Sequence, residues 1–350
     1  MRRLLCLILS AVMCLNLTGC YDSKEISRIA FIIAVGFDTD SYTFQIVKPS
    51  AFEGEGSEDS PLFTTTLTAP DVYIAMDKLN STISEQCDYS HIKIVLFSQE
   101  KLKKGIEDEV RAMLKSNDFH PNTHVAMCIG DTSEYLKDME IPLDANPAEY
   151  YENIFKKDFT EYSPDTKLKD MEKNYNTQAI ANVIPVLDKK IQGMAVVRDY
   201  KLSDLARGQD VLLYHILKEN DFRGNYSVDD KTVISLNKKN CKYRVDTNSN
   251  PPVIYVKASF DANIIWSEAD EDKEKIQEAA KKKLESELTE LLYRCSMYYK
   301  ADIFEFCKLA KTGYLTIKSW EDEDWQGIYE KAGYNVTADI SISREGLNIK

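Results

Sequence analysis

The chain has 350 residues and carries 44 lysines and arginines against 57 aspartates and glutamates, a formal net charge of −13. A protein this acidic is not suited to nucleic acid, because phosphate binding depends on clustered lysine and arginine. Anionic lipid headgroups repel the same net charge, so the overall surface charge cannot hold the molecule at a membrane. The length allows two or three domains of roughly 100–200 residues each.

The first 20 residues have the order of a secretory signal peptide. Arg2 and Arg3 precede an apolar run of 14 residues, 4–17, and small residues follow it. As a helix this run would be about 21 Å long, which is short for a hydrocarbon core of about 30 Å. The pattern therefore predicts a signal peptide over residues 1–19 and not a permanent anchor.

Leu17-Thr18-Gly19-Cys20 has the pattern of a lipobox, in which the cysteine becomes the first residue and its sulfur carries diacylglycerol. Two acyl chains anchor stably, because each buried CH₂ contributes about 0.8 kcal/mol. We therefore predict that Cys20 carries S-diacylglycerol and an N-acyl group such as palmitate. An ordinary secretory signal and an uncleaved short anchor are the alternatives. Removing residues 1–19, with Arg2 and Arg3, leaves 331 residues and changes the net charge from −13 to −15.

The cysteines that follow Cys20 do not have the pattern of a disulfide framework. Their number is odd and no two form a C-x-x-C pair: Cys87, Cys128, Cys241, Cys295 and Cys307. Most lie in apolar stretches, which is typical of buried free thiols. We expect core thiols and no obligatory disulfide. Because no later apolar stretch reaches spanning length, we expect everything after Cys20 to be an ectodomain outside the membrane.

Residues 20–190 read as an N-terminal domain in which strands and helices alternate. Continuous or alternating apolar residues predict strands at 29–38, 42–47, 92–97 and 123–129. Apolar residues three and four apart predict helices at 71–87, 98–115 and 133–139. This order favours an α/β or α+β domain. The acidic loop at 53–60 lacks the spacing of a calcium-binding loop, so we interpret it as solvated.

Residues 191–350 read as a C-terminal α+β region, with a middle domain at about 191–250 and a last domain at about 251–350. A strand at 193–197 opens it and a helix follows at 211–217. Short connections join the next strands, which indicates antiparallel sheet at 225–236, 241–245 and 253–266. Further helical stretches at 301–309 and 320–329 precede a closing strand at 334–343.

The long helix predicted from Glu268 to Lys300 is the clearest single element. One apolar stripe recurs along it at three and four residues: Ile276, Ala280, Leu284, Leu288, Leu291 and Cys295. A coiled coil would need more heptads than this stripe provides. We therefore expect the helix to pack across a sheet.

The sequence contains no catalytic signature that survives inspection. His120 and His124 have the i, i+4 spacing of a zinc site on a helix, but Pro121 lies between them and no glutamate holds the H-E-x-x-H position. Asp322 and Glu323 could act as paired acids, although an acidic run is more often a solvated face. We therefore predict no enzymatic activity, no metal and no cofactor.

Trp320 and Trp325 flank that acidic pair. Tryptophan is enriched at the hot spots of protein interfaces, which would make the two residues partner anchors. Large aromatic side chains are mostly buried, however. We expect a packing role for at least one of them.

The start of the mature chain resembles the spore germination receptor C-subunit lipoproteins, the Ger(x)C family. Members read Gly-Cys-Trp-Asp-x-x-Glu-Ile, followed by an apolar strand that ends near Gly-x-Asp. Here Gly36-Phe37-Asp38 ends the strand and Tyr21 replaces the tryptophan of the motif, whose residues are Gly19, Cys20, Tyr21, Asp22, Glu25 and Ile26. Weaker matches occur in the family's order at 90–102, 193–197, 202–205, 301–304 and 320–346.

The resemblance implies a non-enzymatic C subunit of a nutrient germinant receptor. It implies a three-domain α+β fold of mixed sheets and helices, held by lipid on the outer face of the inner spore membrane. The partners would be a membrane-embedded A subunit and a transporter-like B subunit. No family catalytic residue transfers to this chain; only the lipidated cysteine does, to Cys20.

Two other classes of protein are alternatives. A substrate-binding lipoprotein that feeds a transporter would have two α/β lobes with a ligand cleft between them. The antiparallel strands predicted after Gly193 and the long helix after Glu268 fit such a pair poorly. A wall-degrading enzyme would need acidic residues with raised pKa values in a groove.

Overall fold

The structure is a computed structural model that describes residues 28–47, 62–139, 147–155, 164–173, 177–188, 190–268 and 272–344. The predicted anchor motif at 19–26 and the acidic loop at 53–60 lie outside these ranges. Within them, two mixed β-sheets with helices packed on them form an α+β fold, which confirms the predicted fold class.

The first sheet has nine described strands. They are β1 (Ile29–Phe37), β2 (Ser41–Val47), β3 (Leu62–Thr68), β4 (Gln86–Asp88), β5 (Ile94–Ser98), β6 (His124–Cys128), β7 (Asn182–Asp188), β8 (Lys190–Arg198) and β9 (Lys201–Arg207). Their order is β3-β2-β1-β5-β6-β7-β8-β9, with β4 beside the start of β1. The central strands β1, β5, β6 and β7 run parallel, whereas β2, β3, β8 and β9 are antiparallel to their neighbours.

The helices that accompany this sheet lie on both of its faces. They are α1 (Val72–Thr82), α2 (Gln99–Lys104), α3 (Glu107–Lys115), α4 (Thr132–Lys137), α5 (Pro147–Ile154) and α6 (Leu168–Lys173). Val35 and Phe37 of β1 pack in one apolar cluster with α1, α2, α3 and α6, whereas Ala34 packs in another with α4 and α5. A central strand buried on both faces reads as a continuous apolar run, which is why β1 was predictable.

Two predicted helices of this domain are shorter than expected. The helix predicted at 98–115 is interrupted at Gly105, whose φ of 117° a residue with a side chain rarely adopts. There the backbone N–H of Ile106 donates to Tyr200 O at 3.0 Å. The helix predicted at 71–87 ends at Thr82, and its last residues form β4 instead, paired with the start of β1.

The second sheet has the order β10-β11-β12-β13, and α7 (Gln209–Lys218) precedes it. Its strands are β10 (Arg223–Asp229), β11 (Thr232–Asp246), β12 (Val253–Ser267) and β13 (Gly333–Arg344). The predicted antiparallel arrangement is confirmed. Two of the predicted strand bounds are wrong, because a turn divides the strand predicted at 225–236 and its second half continues through 241–245 as the single strand β11. The closing strand β13 pairs with β12 in parallel.

The long helix α8 (Lys273–Tyr293) covers one face of the second sheet, and a π-helical turn at Arg294–Tyr298 continues it. All six residues of the predicted stripe are buried, and α8 packs against β13, which confirms the predicted packing across a sheet. The region after it contains three short helices, α9 (Phe306–Lys311), α10 (Ile317–Glu321) and α11 (Trp325–Tyr329). No helix of the described residues is both long enough and apolar enough to cross a bilayer.

Neither predicted domain boundary separates the two sheets. The boundary at 190/191 falls after the first residue of β8, which pairs with β7 in the first sheet. The strand at 193–197, interpreted as the start of a new unit, is thus part of the first sheet. The boundary at 250/251 lies in the turn between β11 and β12 of the second sheet. The division into three domains stays a prediction.

Leu284 is fully buried at the centre of the α8 stripe, so truncating it removes apolar contacts and leaves a cavity. We expect Leu284→Ala to lower the free energy of unfolding by about 2–5 kcal/mol in denaturant titrations. The matched control on the same helix is Lys282→Ala, whose side chain is 73% exposed. That change should stay within about 0.5 kcal/mol of the wild type, and equal losses in the two variants would contradict the assigned packing.

Candidate functional site

The predicted anchor residues lie outside the described residues, but the start of β1 limits where they can be. Nine backbone steps separate Cys20 from Ile29, the first residue of β1. An extended chain spans at most about 3.6 Å per residue, so Ile29 lies within about 32 Å of Cys20. Because β1, β5, β6 and β7 are parallel, all four begin at the same end of the first sheet. We call this end the tether end.

Two cavities open at the tether end and share Ser90. The smaller, of about 260 Å³, is lined by Ile29, Gln86, Cys87, Asp88, Tyr89, Ser90, Asn117 and Asp118. The larger, of about 460 Å³, is lined by Ser90, Ile92, Lys93, His120, Asn122, Thr123, His124, Glu152 and Lys167. The larger cavity contains charges of both signs, and Lys93 Nζ lies 3.3 Å from Glu152 Oε2.

The Ser90-His91 segment that resembles the family forms the turn leading into β5. Asp88 Oδ1 accepts hydrogen bonds from Ser90 N at 2.9 Å and from Ser90 Oγ at 2.6 Å. Burial raises the pKa of the Asp88 carboxyl, but these hydrogen bonds and the nearby His91 outweigh it and leave the pKa below its usual value. The His91 ring packs edge-on against Phe31 of β1, with centroids 4.8 Å apart. The segment thus packs against the start of β1 at the tether end.

The two histidines with zinc-like spacing have different hydrogen-bond partners. His120 lies in a loop, where its Nδ1 accepts from Asn122 N at 3.1 Å. His124 starts β6 and is buried, with its Nδ1 2.7 Å from Asp165 Oδ1. Lys167 Nζ also lies 2.9 Å from that carboxylate oxygen. Among the described residues, no group of three or more histidine, cysteine, aspartate or glutamate side chains converges as a metal site would require.

The Gly36-Phe37-Asp38 motif joins the end of β1 to the start of α4. Asp38 is buried, and its carboxylate accepts from Thr132 N at 3.0 Å and from Thr132 Oγ1 at 2.7 Å. A carboxylate at a helix start satisfies a free backbone N–H group. At Gly36, an added Cβ would lie 2.5 Å from Thr132 Cβ. The glycine is needed for this close approach, and the aspartate holds the helix in place.

A methyl group at Gly36 would force Thr132 away from Asp38. We expect Gly36→Ala to lower the free energy of unfolding by about 1–3 kcal/mol, measured by denaturant titration. Gly333→Ala is the matched control, because the nearest atom to its added Cβ is Val253 Cγ2 at 3.7 Å, an ordinary contact. If Gly333→Ala cost as much as Gly36→Ala, the close approach would not explain the glycine.

The second sheet and its helices share an apolar core with the first sheet, which includes Val183, Met194 and Ala206 of β7, β8 and β9. Near the tether end, a short backbone pairing adds to this contact. Ile180, two residues before β7, forms an isolated parallel bridge with Asp302. Asp302 N donates to Ala179 O at 2.7 Å, and Ala181 N donates to Asp302 O at 3.3 Å. Ser203 Oγ of β9 adds a hydrogen bond to Tyr299 O at 2.8 Å. We call this contact the junction.

The side chain of Asp302 is fully buried within the junction. Its carboxylate accepts from Phe304 N at 3.2 Å and from Cys307 N at 2.7 Å. Burial raises the pKa of Asp302 to about 6, although the backbone N–H groups of Cys307, Phe306 and Phe304 act in the opposite direction. The carboxylate therefore organises the turn that leads into α9. Burial destabilises its ionised form, because the charge is removed from water.

A carboxyl whose pKa is higher in the folded protein stabilises the fold in its protonated form. Its contribution is complete below the unfolded pKa of 3.8 and is lost as pH rises through about 6. We expect the free energy of unfolding to fall by about 3 kcal/mol more in the wild type than in Asp302→Asn over this interval. Denaturant titrations at several pH values measure the difference. Parallel pH profiles in the two proteins would contradict the assignment.

Both tryptophans that the sequence singled out are buried beside the junction. Trp325 is completely buried, and its ring lies 5.7 Å from that of Trp320. Trp325 N donates to Gln178 Oε1 at 2.8 Å, a bond across the junction. The expected packing role is confirmed for both residues. A polar cavity of about 390 Å³ lies alongside, lined by Thr177, Gln178, Ala179, Arg198, Asp199, Glu323, Asp324 and Gln326.

The five cysteines after Cys20 are free thiols in the structure, and four of them are buried. Burial raises the pKa of Cys128 to about 12, and it also raises the pKa of Cys295 well above its usual value. Such thiols stay protonated and react poorly, which fits the predicted core role.

The junction is the part of the site that sequence reasoning missed. Asp302 follows Ala301 and precedes Ile303-Phe304, so one charged residue interrupts an apolar stretch. That interruption was the available signal, because a charge inside an apolar run is rarely buried unless its hydrogen bonds are satisfied. Its partner Ala179 lies more than a hundred residues earlier, and no local pattern links the two.

Comparison with known proteins gives two adjoining family matches. The spore germination protein N-terminal domain matches residues 22–189, and the spore germination B3/GerAC-like C-terminal domain matches residues 192–346. The chain is 22% identical over 372 residues to the spore germination protein GerQC of Bacillus cereus, covering 97% of this chain and 98% of that protein. It is 18% identical over 380 residues to the putative spore germination protein YfkR of Bacillus subtilis (strain 168), covering 98% and 97%.

The fold of this chain is also found in a solved structure. The crystal structure of the GerBC protein aligns with a TM-score of 0.58 over 88% of this chain and 95% of that one, at 12% sequence identity. At this identity the match establishes the common α+β architecture of the two proteins.

Proposed function

The chain belongs to the GerAC family of spore germination proteins, and on that premise we propose that it is the lipid-anchored, non-enzymatic C subunit of a nutrient germinant receptor. In this proposal it acts by contact with the membrane-embedded A and B subunits on the outer face of the inner spore membrane. The observation that carries the proposal is the family match over residues 22–346, which begins two residues after the lipobox cysteine.

Anchoring by lipid explains how an acidic body can work at a membrane. Diacylglycerol on Cys20 would confine the body to a thin layer above the bilayer, because Ile29 lies within about 32 Å of the modified residue. Confinement of this kind raises the effective concentration toward membrane partners to the millimolar range for a short flexible link. Contacts too weak to form between free proteins then suffice.

The environment of the acidic residues supports a role without catalysis. An acid that transfers protons to a substrate needs a raised pKa and access to a groove. Among the described acidic residues, Asp302 has a raised pKa, but it is fully buried and bonded to backbone N–H groups. Asp38 is likewise engaged in capping α4. These carboxylates hold the fold together.

The test compares wild-type protein with Cys20→Ala in cells that make the receptor. The wild type should fractionate with membranes, carry diacylglycerol on its amino-terminal peptide by mass spectrometry, and recover the A and B subunits in a pull-down. We expect Cys20→Ala to lose the lipid mass and most of the co-purified subunits. Cys241→Ala is the matched control, because Cys241 is half-buried in β11, far along the chain from the lipobox.

Two results would contradict the proposal in different ways. An unmodified amino-terminal peptide in the wild type would rule out the lipid anchor. A lipidated protein that recovers no membrane-embedded subunit would rule out the receptor assignment. Because an uncleaved signal peptide can itself hold Cys20→Ala at the membrane, the mass of its amino-terminal peptide must accompany its fractionation.

A further inference from the structure

One segment between the long helix α8 and β13 has a composition that the proposed function does not use. Residues 308–318 begin and end with lysine; we call them the basic tip. They contain three lysines and no aspartate or glutamate, in a chain with a net charge of −13. Its apolar side chains Leu309, Leu315 and Ile317 are 38%, 102% and 66% exposed. The segment therefore presents cations and apolar side chains together to solvent.

Two of the three lysines of the basic tip have no ion-pair partner among the described residues. Lys308 forms an ion pair with Glu305, the residue just before α9. Lys311 and Lys318 take part in no ion pair with the residues that the structure describes. Both are exposed.

The rest of the segment is firmly held, so the exposed residues are not a frayed end. Phe306 and Ala310 of α9 are buried in the core, and Tyr314 packs edge-on against the buried Trp320 at 5.2 Å. A reciprocal capping box between Thr316 and Ser319 fixes the start of α10. The apolar tip is thus displayed on a fixed support.

The basic tip lies near the tether end of the first sheet. It follows the junction directly, since Asp302 accepts from Cys307 N, and α9 is only about 9 Å long. Ile180 at the junction lies two residues before β7, which starts at the tether end. Strands are about 4.8 Å apart, so β7 lies about 14 Å from β1 across β5 and β6. The start of the tip thus lies beside the junction, whose neighbouring strand β7 begins at the end of the sheet where the anchor enters.

We propose that the basic tip binds the surface of the bilayer, with Lys311 and Lys318 at the lipid phosphates and Leu315 and Ile317 in the interfacial layer. The proposal rests on the lipid anchor of the proposed function and adds a second membrane contact to it. Lysines beside exposed leucine and isoleucine are typical of segments that lie in a membrane interface. Each lysine near an anionic surface contributes to binding.

The residue types favour lipid over a protein partner. Lysine is depleted at the centres of protein interfaces, and leucine is under-represented among their hot spots. Two exposed acidic residues, Glu321 and Asp322, follow the tip directly, so the positive charge is confined to residues 308–318. Glu323 and Asp324 line the junction cavity, and Asp324 caps α11 by accepting from Gly327 N at 3.0 Å.

The experiment places an environment-sensitive fluorophore on Leu315→Cys in the full lipidated chain, with Cys241→Ser to remove the half-buried thiol. The remaining thiols Cys87, Cys128, Cys295 and Cys307 are buried and leave the label specific. The chain is reconstituted in vesicles of phosphatidylcholine, with or without phosphatidylglycerol. Asp40→Cys is the control position, because it is exposed beyond the opposite end of β1 from Ile29.

We expect the probe at position 315 to shift to the blue in phosphatidylglycerol vesicles and to be quenched by lipids with nitroxide headgroups, and the probe at position 40 to do neither. Replacing Lys311 and Lys318 with glutamine should weaken docking about fivefold per lysine, and high salt should have a similar effect. Unfolding curves of the glutamine variants should match the wild type, since both lysines are exposed.

Three outcomes would overturn the proposal. The probe at position 315 could behave like the probe at 40 in both kinds of vesicle while the chain stays attached. The shift could occur only when the membrane-embedded receptor subunits are present, which would make the tip a protein contact. Loss of the chain from vesicles with an unmodified amino-terminal peptide would contradict the lipid anchor itself, and the tip proposal would fall with it.

Discussion

The pairing of Ile180 with Asp302 fixes where the second sheet meets the first, at the edge of an apolar core that the two sheets share. The backbone of Asp302 forms hydrogen bonds with the segment before β7, and the carboxylate of the same residue accepts hydrogen bonds from the turn that leads into α9. Burying this carboxylate costs free energy because it loses its hydration. The hydrogen bonds that it accepts from backbone N–H groups offset this cost only in part, so its pKa remains raised. A buried charge of this kind tolerates few alternative geometries, because losing one donor leaves the charge unsatisfied. The shared apolar core provides most of the contact between the two sheets, and the junction adds a specific position to it.

The direction of the strands then decides what lies at each end. Four parallel strands start together at the tether end, so the chain from the predicted anchor, the loops before β5 and β6 and the approach to the junction all meet there. The opposite end carries the Asp38–Thr132 contact, which closes β1 onto α4. Ligand sites in open parallel sheets usually form at the ends of the strands and not at their starts. In this protein the end where such a site would form is occupied by a helix cap, while the cavities described above lie at the strand starts and the junction.

Much of this architecture follows from local patterns in the sequence. The parts that could not be predicted from such patterns have one physical cause in common. The stripe of α8 and the continuous run of β1 were predictable because burial on one face or on both imposes a period on the residues themselves. The predicted lipobox is also a local pattern, since its residues are consecutive, and it stays a prediction. The membership of β8 in the first sheet, the parallel pairing of β13 and the role of Asp302 depend on partners distant in sequence. The break at Gly105 was not predicted, because the spacing of the apolar residues continues across it although the helical backbone is interrupted there.

Net charge and local charge have opposite consequences for a body tied to a bilayer. A lipid anchor alone fixes distance and leaves orientation free, because the link permits the body to turn. Over most of this surface an excess of acidic residues is repelled by anionic headgroups, with a reach of about 8 Å at physiological ionic strength. In the proposed arrangement the basic tip is attracted to the anionic headgroups that repel the rest of the surface. The anchor supplies the local concentration that makes this weak attraction effective. Repulsion elsewhere and attraction at one place select a single orientation, which presents the same face of the subunit to every membrane-embedded partner.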